Sequence, residues 1–173
     1  TISFEDRATN HLAQQPFGQV PFLTDGSLEI FESGACLLHL ANKSGCLMPA
    51  DAQGQAQTVQ WIVAALNSIE MVTVPWWFLE VSGATENALT GWMSMRLGHL
   101  EQVLDGRDWL VADRFTAADL LIADVLRVER IRAFGDRTAT ERYISRVTDR
   151  PAFKKALADQ LVHFAEADAR RRA

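Results

Sequence analysis

Phe17-Gly18-Gln19-Val20-Pro21-Phe22-Leu23-Thr24-Asp25-Gly26-Ser27-Leu28-Glu29-Ile30-Phe31-Glu32-Ser33-Gly34-Ala35 changes its hydrophobic period once, and that change orders the elements. Val20 to Leu23 is a short apolar run. Asp25-Gly26 is a turn signal because both positions tolerate positive φ, and Leu28 to Phe31 resumes a β-prone run. Beyond Ser33 the apolar residues fall at Ala35, Leu37, Leu38, Leu40 and Ala41, the spacing of a helix with one apolar side. The stretch reads as strand, tight turn, strand and helix, with Ser33 near the helix start, where a hydroxyl caps free N–H groups.

Upstream, Thr1-Ile2-Ser3-Phe4 alternates polar and apolar residues and is expected to be a strand. Glu5 to Gln15 is polar with a short helical piece around His11-Leu12, where His11 reads as a surface or packing histidine. Downstream, the first helix is expected to run from Ser33 to Lys43 and to stop at Ser44-Gly45.

From Asp51 onward the pattern is helical. Gln53 to Glu80 carries a broad apolar side, with Pro75 expected to interrupt or kink it. Trp76-Trp77-Phe78 follows, and Trp76 and Trp77 cannot both point one way on a helix, so part of this cluster is core. A second long helix is expected over 87–104. Phe115-Thr116-Ala117-Ala118-Asp119-Leu120 is a capping box: Thr116 is the N-cap, Asp119 stands three residues on, and Phe115 and Leu120 supply a hydrophobic staple. The helix behind it, from Leu120 to Val128, is apolar almost all round and should be buried. Further helices are expected over 136–147 and 151–166, the last opened by Pro151 at a permitted first-turn position.

Composition narrows the function classes. The 173 residues carry 22 acidic against 17 basic side chains, a net charge of −5, which argues against nucleic acid as the main partner. No apolar run reaches transmembrane length and nothing at the start resembles a signal peptide. Two cysteines, Cys36 and Cys46, make no disulfide framework and point to a reducing, cytoplasmic compartment. The four histidines are scattered without metal-ligand spacing, so no metal is expected, and Ser33 lacks the glycine-flanked elbow of a serine hydrolase.

Three blocks together resemble the glutathione S-transferase family, in its bacterial, phi-, beta- or theta-like forms. Gln15-Pro16-Phe17-Gly18-Gln19-Val20-Pro21 looks like the family's NPFGQVP signature with Gln15 where Asn is usual. Glu32-Ser33 follows at the family spacing, and Thr116-Ala117-Ala118-Asp119 with Arg150-Pro151-Ala152-Phe153 resembles its C-terminal signatures. The resemblance implies an α+β protein: a partial thioredoxin-like N-terminal domain over 1–46, a linker over 47–52 built on Leu47-Met48-Pro49, and an all-α helical bundle over 53–173. It implies strand order 2-1-3-4, with Thr1 to Phe4 as strand two, Val20 to Leu23 as strand three, and the first strand and helix absent from the sequence. Those elements would add roughly 25–30 residues, judged by mean element lengths. Thr1, rather than Met, opens the chain, so a longer natural N-terminus is expected.

The resemblance also implies a site. Glutathione, the co-substrate, would be held by Gln19, Val20, a cis Pro21, Glu32 and Ser33. An extended peptide suits a free strand edge, its carboxylate suits a helix N-terminus, and its ammonium suits a glutamate. Arg7 falls near the family's basic residue for the glycine carboxylate, and a solvated surface arginine is an equal reading of it. Trp76 and Trp77 would wall an apolar pocket for the electrophile, while Thr116 and Asp119 are structural. The catalytic serine, tyrosine or cysteine belongs to the absent first strand or helix, so none is assigned, and Cys36 and Cys46 read as structural thiols. The activity implied is conjugation of the glutathione thiolate to a hydrophobic electrophile, or related thiol or peroxide chemistry, in a detoxifying homodimer that binds neither nucleic acid nor membrane. The alternative is a non-catalytic transferase-like scaffold or a fragment with an incomplete site.

Overall fold

The computed structural model describes residues 10–132 and 134–172. The expected strand over 1–4 and Arg7 lie outside them. The chain groups into two compact units, one made of residues up to 37 with those from 148 on, the other of residues 38–147.

In the first unit, a 3-10 turn, Asn10–Ala13, precedes a hairpin of β1, Phe22–Asp25, and β2, Leu28–Phe31, paired antiparallel with Phe22 opposite Phe31 and Asp25 opposite Leu28. The first strand starts two residues later than the sequence period indicated. Pro21 has no N–H to donate, so the ladder begins at Phe22 and leaves Val20 outside it. The turn residues are Gly26-Ser27 rather than Asp25-Gly26. Only Gly26, at φ +64°, takes positive φ, the pattern of a II′ turn, whose twist matches the strands it joins. Helix α1, Ser33–Ser44, follows and carries the chain into the second unit at residue 38, and Gly45 at φ +65° ends it by donating its N–H to the Ala41 carbonyl. Its buried side chains are Cys36 and Ala41, whereas Leu40 is exposed against the expected apolar side. The other large element of this unit, helix α8, Pro151–Arg172, starts with its proline as expected and runs beyond residue 166.

The second unit is a helical bundle. Asp51 caps helix α2, Ala52–Ala64, its carboxylate taking the Gly54 amide at 2.7 Å. A π-helical stretch, Ala65–Glu70, joins α2 without a break to α3, Met71–Val81. Pro75 therefore does not interrupt the helix. The irregularity lies one turn before it, as wide-turn backbone. Buried residues recur at Thr58, Ile62, Ala65, Ile69, Val72 and Trp76, alternating steps of four and three, a single stripe packed toward the bundle. By length and composition this continuous helix, Ala52–Val81, is long and apolar enough to cross a membrane. Uncharged Gln, Thr, Asn and Ser interrupt its apolar residues, so no unbroken apolar run of that length stands in the sequence.

Helix α4, Thr90–Leu104, buries Met93, Leu97, Leu100 and Leu104 and leaves Trp92 and Met95 exposed. After Gly106, Val111 and Arg114 bridge across Ala112-Asp113, both at positive φ, so the connection reverses sharply. Helix α5, Ala117–Leu126, is buried nearly all round and packs on α2 and the π stretch. Val128 lies beyond its end and is exposed. A short helix α6, Glu129–Arg132, and α7, Thr138–Thr148, complete the unit. Glu101 on α4 takes the amides of Ala139 and Thr140, both at 2.8 Å, capping α7 from a neighbouring helix.

Candidate functional site

The hairpin register sets the site. Phe22 faces Phe31, so the next residues outward, Val20-Pro21 on one side and Glu32-Ser33 on the other, lie at the same end of the hairpin. The Val20–Pro21 peptide is cis. Val20 is 52% exposed, and its N–H and C=O make no hydrogen bond among the described residues. Lying just before the strand, it leaves both polar groups open among the described residues.

Glu32 carries the first intrahelical bond of α1, its carbonyl accepting from the Cys36 amide at 2.9 Å. It does so at φ +71°, in the left-handed region that costs a non-glycine residue of order 1 kcal/mol. Ser33 is the first helical residue rather than the cap, and its hydroxyl makes no cap bond among the described residues. The Ser33, Gly34 and Ala35 amides likewise have no acceptor there. Three open N–H groups at the positive end of a 12-residue helix attract an anion, and the exposed Glu32 carboxylate attracts a cation. Together with the Val20 edge, the end of the hairpin matches an extended zwitterionic peptide.

Two residues that the sequence did not mark hold this end in place. Gln15, 1% exposed, accepts the amides of Phe17 at 2.6 Å and Gln19 at 3.1 Å through the same oxygen. His11, 3% exposed, meets the Gln19 carbonyl through Nε2 at 2.5 Å and sets its ring edge-on to Phe22. The Gln19 side chain is left exposed. A lone histidine carries no spacing signal. Gln15 stood in the signature block, but only as a departure from it.

In the other unit Trp76 is buried, its indole N–H donating to the Thr90 hydroxyl at 3.2 Å and its ring edge-on to Phe134. Trp77, 40% exposed, meets Phe78 edge-on on the outer side. Thr116 and Asp119 form the capping box, wholly buried. Cys36 is buried, donates its thiol to the Ile30 carbonyl, and has its pKa pushed up by burial, the profile of an inert thiol. Among the described residues, no cluster of three or more His, Cys, Asp or Glu could hold a metal ion.

Comparison with known proteins identifies the family. Residues 1–42 match the family model for the glutathione S-transferase N-terminal domain, and residues 84–151 match that for its C-terminal domain. Glutathione S-transferase F11 of Arabidopsis thaliana is 30% identical over 171 residues, covering 88% of this chain and 80% of the relative. A glutathione transferase from Pseudomonas putida, solved with one glutathione disulfide bound per subunit, superposes with a TM-score of 0.81 at 25% identity, covering 90% of this chain and 77% of that one. A glutathione transferase from Burkholderia graminis, solved with two glutathione molecules per subunit, gives a TM-score of 0.77 at 26% identity, covering 90% of this chain and 75% of that one. The chain belongs to the glutathione S-transferase family.

Proposed function

We propose that the protein is a glutathione transferase that binds the tripeptide at the Val20 and Glu32-Ser33 end of the hairpin. The observation that carries this is the convergence, through the Phe22–Phe31 register, of a backbone edge and a helix N-terminus that are both unpaired among the described residues, with an exposed glutamate beside them. Val20 pairs with the cysteinyl main chain. The open amides of Ser33 and its neighbours hold the γ-glutamyl carboxylate, and Glu32 holds the ammonium. Arg7 is the candidate for the glycine carboxylate.

The chemistry follows from the bound thiol. Its thiolate sulfur attacks an electrophilic carbon, a C–S bond forms, and the leaving group departs with the electron pair of the bond that breaks. The protein's part is to hold the sulfur and favour its anionic form. No residue of this chain is assigned to that last role. Trp77 is the candidate for a wall against the electrophile, because Trp76 is committed to the bundle core. The domain division at 47–52 is part of the same reading.

The remaining features belong to this reading as well. Two free cysteines suit a reducing, cytoplasmic setting and a role in detoxification. A homodimer is supported by a second apolar face on the α2–α3 helix, where Val59, Val63, Met71, Val74 and Phe78 are exposed opposite the buried stripe. Retention on immobilised glutathione together with turnover of an aromatic halide tests the enzyme. Retention without turnover returns the scaffold reading, and failure to bind glutathione overturns the site.

A further inference from the structure

The backbone of Gln19 is consumed from both sides by buried side chains. Gln15 Oε1 accepts from its N–H, and its C=O accepts from His11 Nε2. The 3-10 turn at Asn10–Ala13 makes this possible, because the Gln14 and Gln15 amides both fold back onto the His11 carbonyl and bring the two side chains under one loop. Gly18, at φ +63° and donating to the Gln15 carbonyl, closes the loop. Gln19 therefore cannot pair with an incoming chain through its backbone, and Val20 is the first residue that can.

The tautomer of His11 follows from its surroundings. Nδ1 is buried and has no hydrogen-bond partner among the described residues. An N–H at that position would be a buried donor without an acceptor, whereas a bare nitrogen loses less. The proton belongs on Nε2, where the Gln19 carbonyl accepts it. The T-shaped contact with Phe22 holds the ring in line with the first residue of β1. A single imidazole thus couples the loop to the strand.

We infer that His11 and Gln15 are positioning residues that set the register in which a peptide ligand pairs with this edge. Slipping the pairing by one residue would turn the ligand's side chains to the opposite face, carrying its thiol away from where the reaction takes place. The inference rests on the reading of this end of the hairpin as a glutathione site. It adds a pair of residues that need not touch the ligand and act through the Gln19–Val20 peptide.

Calorimetric titration with glutathione tests it on the purified wild type and on His11→Phe and His11→Gln. Phe keeps the ring against Phe22 and loses the donor, whereas Gln places an amide N–H near the position of Nε2. His11→Phe should weaken glutathione binding about tenfold, the size expected for one hydrogen bond to a placed carbonyl. His11→Gln should recover most of that loss. His11→Phe binding like wild type, or His11→Gln binding as poorly as His11→Phe, overturns the inference, because a purely structural histidine would alter melting temperature without this order of affinities. Nitrogen-15 NMR of the wild type gives a second reading should His11→Phe not fold. The Nε2–H tautomer is expected, and an Nδ1–H tautomer overturns the inference. Wild type that does not bind glutathione overturns the site itself, and the inference with it. Wild type that binds while the variants bind equally overturns only the positioning role.

Discussion

The Tyr143 hydroxyl donates to Asp119 Oδ1 at 2.7 Å inside the helical unit, where the aspartate is wholly buried and the tyrosine nearly so. The same oxygen accepts the Leu110 amide at 2.9 Å, and Oδ2 accepts the Thr116 amide at 2.7 Å and hydroxyl at 2.9 Å. One carboxylate therefore fastens α7, the loop before α5 and the start of α5 itself. Asp119→Ala strands two buried amides, a phenol and the Thr116 hydroxyl, each costing about 1–3 kcal/mol, so a total loss of about 3–5 kcal/mol is expected after partial relaxation. Thr116→Ala should cost only about 0.5–2 kcal/mol as a lost cap. Urea melts measure both, and an unshifted midpoint for Asp119→Ala contradicts the assignment.

Tyr143 gives the fold an alkaline limit. Burial first, then the Asp119 charge and hydrogen bond, raise its pKa well above the ordinary tyrosine value. The unfolded tyrosine releases its proton near pH 10, while the folded one keeps it. Above that pH the folded state binds more protons, so stability falls as pH rises, and the contribution is intact below about pH 10. Tyr143→Phe should be less stable at pH 7 by about 1–3 kcal/mol, since Asp119 loses a donor. The gap between wild type and variant should narrow from pH 9 toward pH 11. A constant gap in denaturant melts across that range excludes the linkage.

What the sequence disclosed follows from the range of the interactions. The Thr116–Asp119 box was legible because three residues of spacing suffice to define it, and helix geometry set Trp76 and Trp77 on different sides without telling which of them is buried. The Tyr143–Asp119 and Glu101–Thr140 bonds join residues 24 and 39 apart and leave no local mark. The two ends of the proposed site, Val20-Pro21 and Glu32-Ser33, were legible because each is a short motif. Its support was not. His11 looks like any lone histidine until the loop folds over it, and the positive φ of Glu32 is invisible where a sequence reader looks for glycine. The start of β1 was misplaced because an apolar run continues through a proline that a hydrogen-bonded ladder does not use.

Glu101 sets an acid limit of opposite sign. Burial opposes its charge, but the Thr140 hydroxyl, the Ala139 and Thr140 amides and the nearby Arg137 outweigh this and hold its pKa below the ordinary value. Between that lowered pKa and about pH 4.3 the unfolded state binds more protons, so the contribution is present at higher pH and lost as pH falls through the window. Glu101→Gln should cost about 0.5–2 kcal/mol at pH 7, as an impaired helix cap. The variant should approach wild type below pH 4. Thermal melts at pH 7 and in acid measure both, and equal stability at pH 7 contradicts the cap.

Gly54 and Gly98 should respond oppositely to the same substitution. A Cβ on Gly54 would lie 2.5 Å from Pro49 Cβ and 2.9 Å from its Cγ, so the linker proline and the first turn of α2 touch through the missing side chain. Gly54→Ala must displace one of them, at a cost of about 1–3 kcal/mol. A Cβ on Gly98, in the interior of α4, meets nothing within 4 Å, and Gly98→Ala should stabilise by about 0.5–1 kcal/mol through lower unfolded-state entropy. Paired melts decide it. A Gly54→Ala protein as stable as wild type would mean the linker does not pack on α2.

Glu32 separates stability from binding. Its φ of +71° is unfavourable for any residue with a Cβ, and its carboxylate is exposed at the start of α1. Glu32→Gly relieves the backbone and should raise stability by about 0.5–1 kcal/mol, while removing the proposed acceptor for the γ-glutamyl ammonium. Loss of a charge-assisted bond of about 1.5–3 kcal/mol weakens glutathione binding roughly ten- to a hundredfold. Glu32→Gln keeps the strain and the shape and loses the charge, so it should weaken binding without gaining stability. A merely structural glutamate gives the opposite pattern, with both variants binding as wild type. Calorimetric titration beside thermal melts on the three proteins distinguishes these. A gain in stability coupled to a loss of affinity, in Glu32→Gly alone, is the result that identifies backbone strain kept for the sake of the ligand.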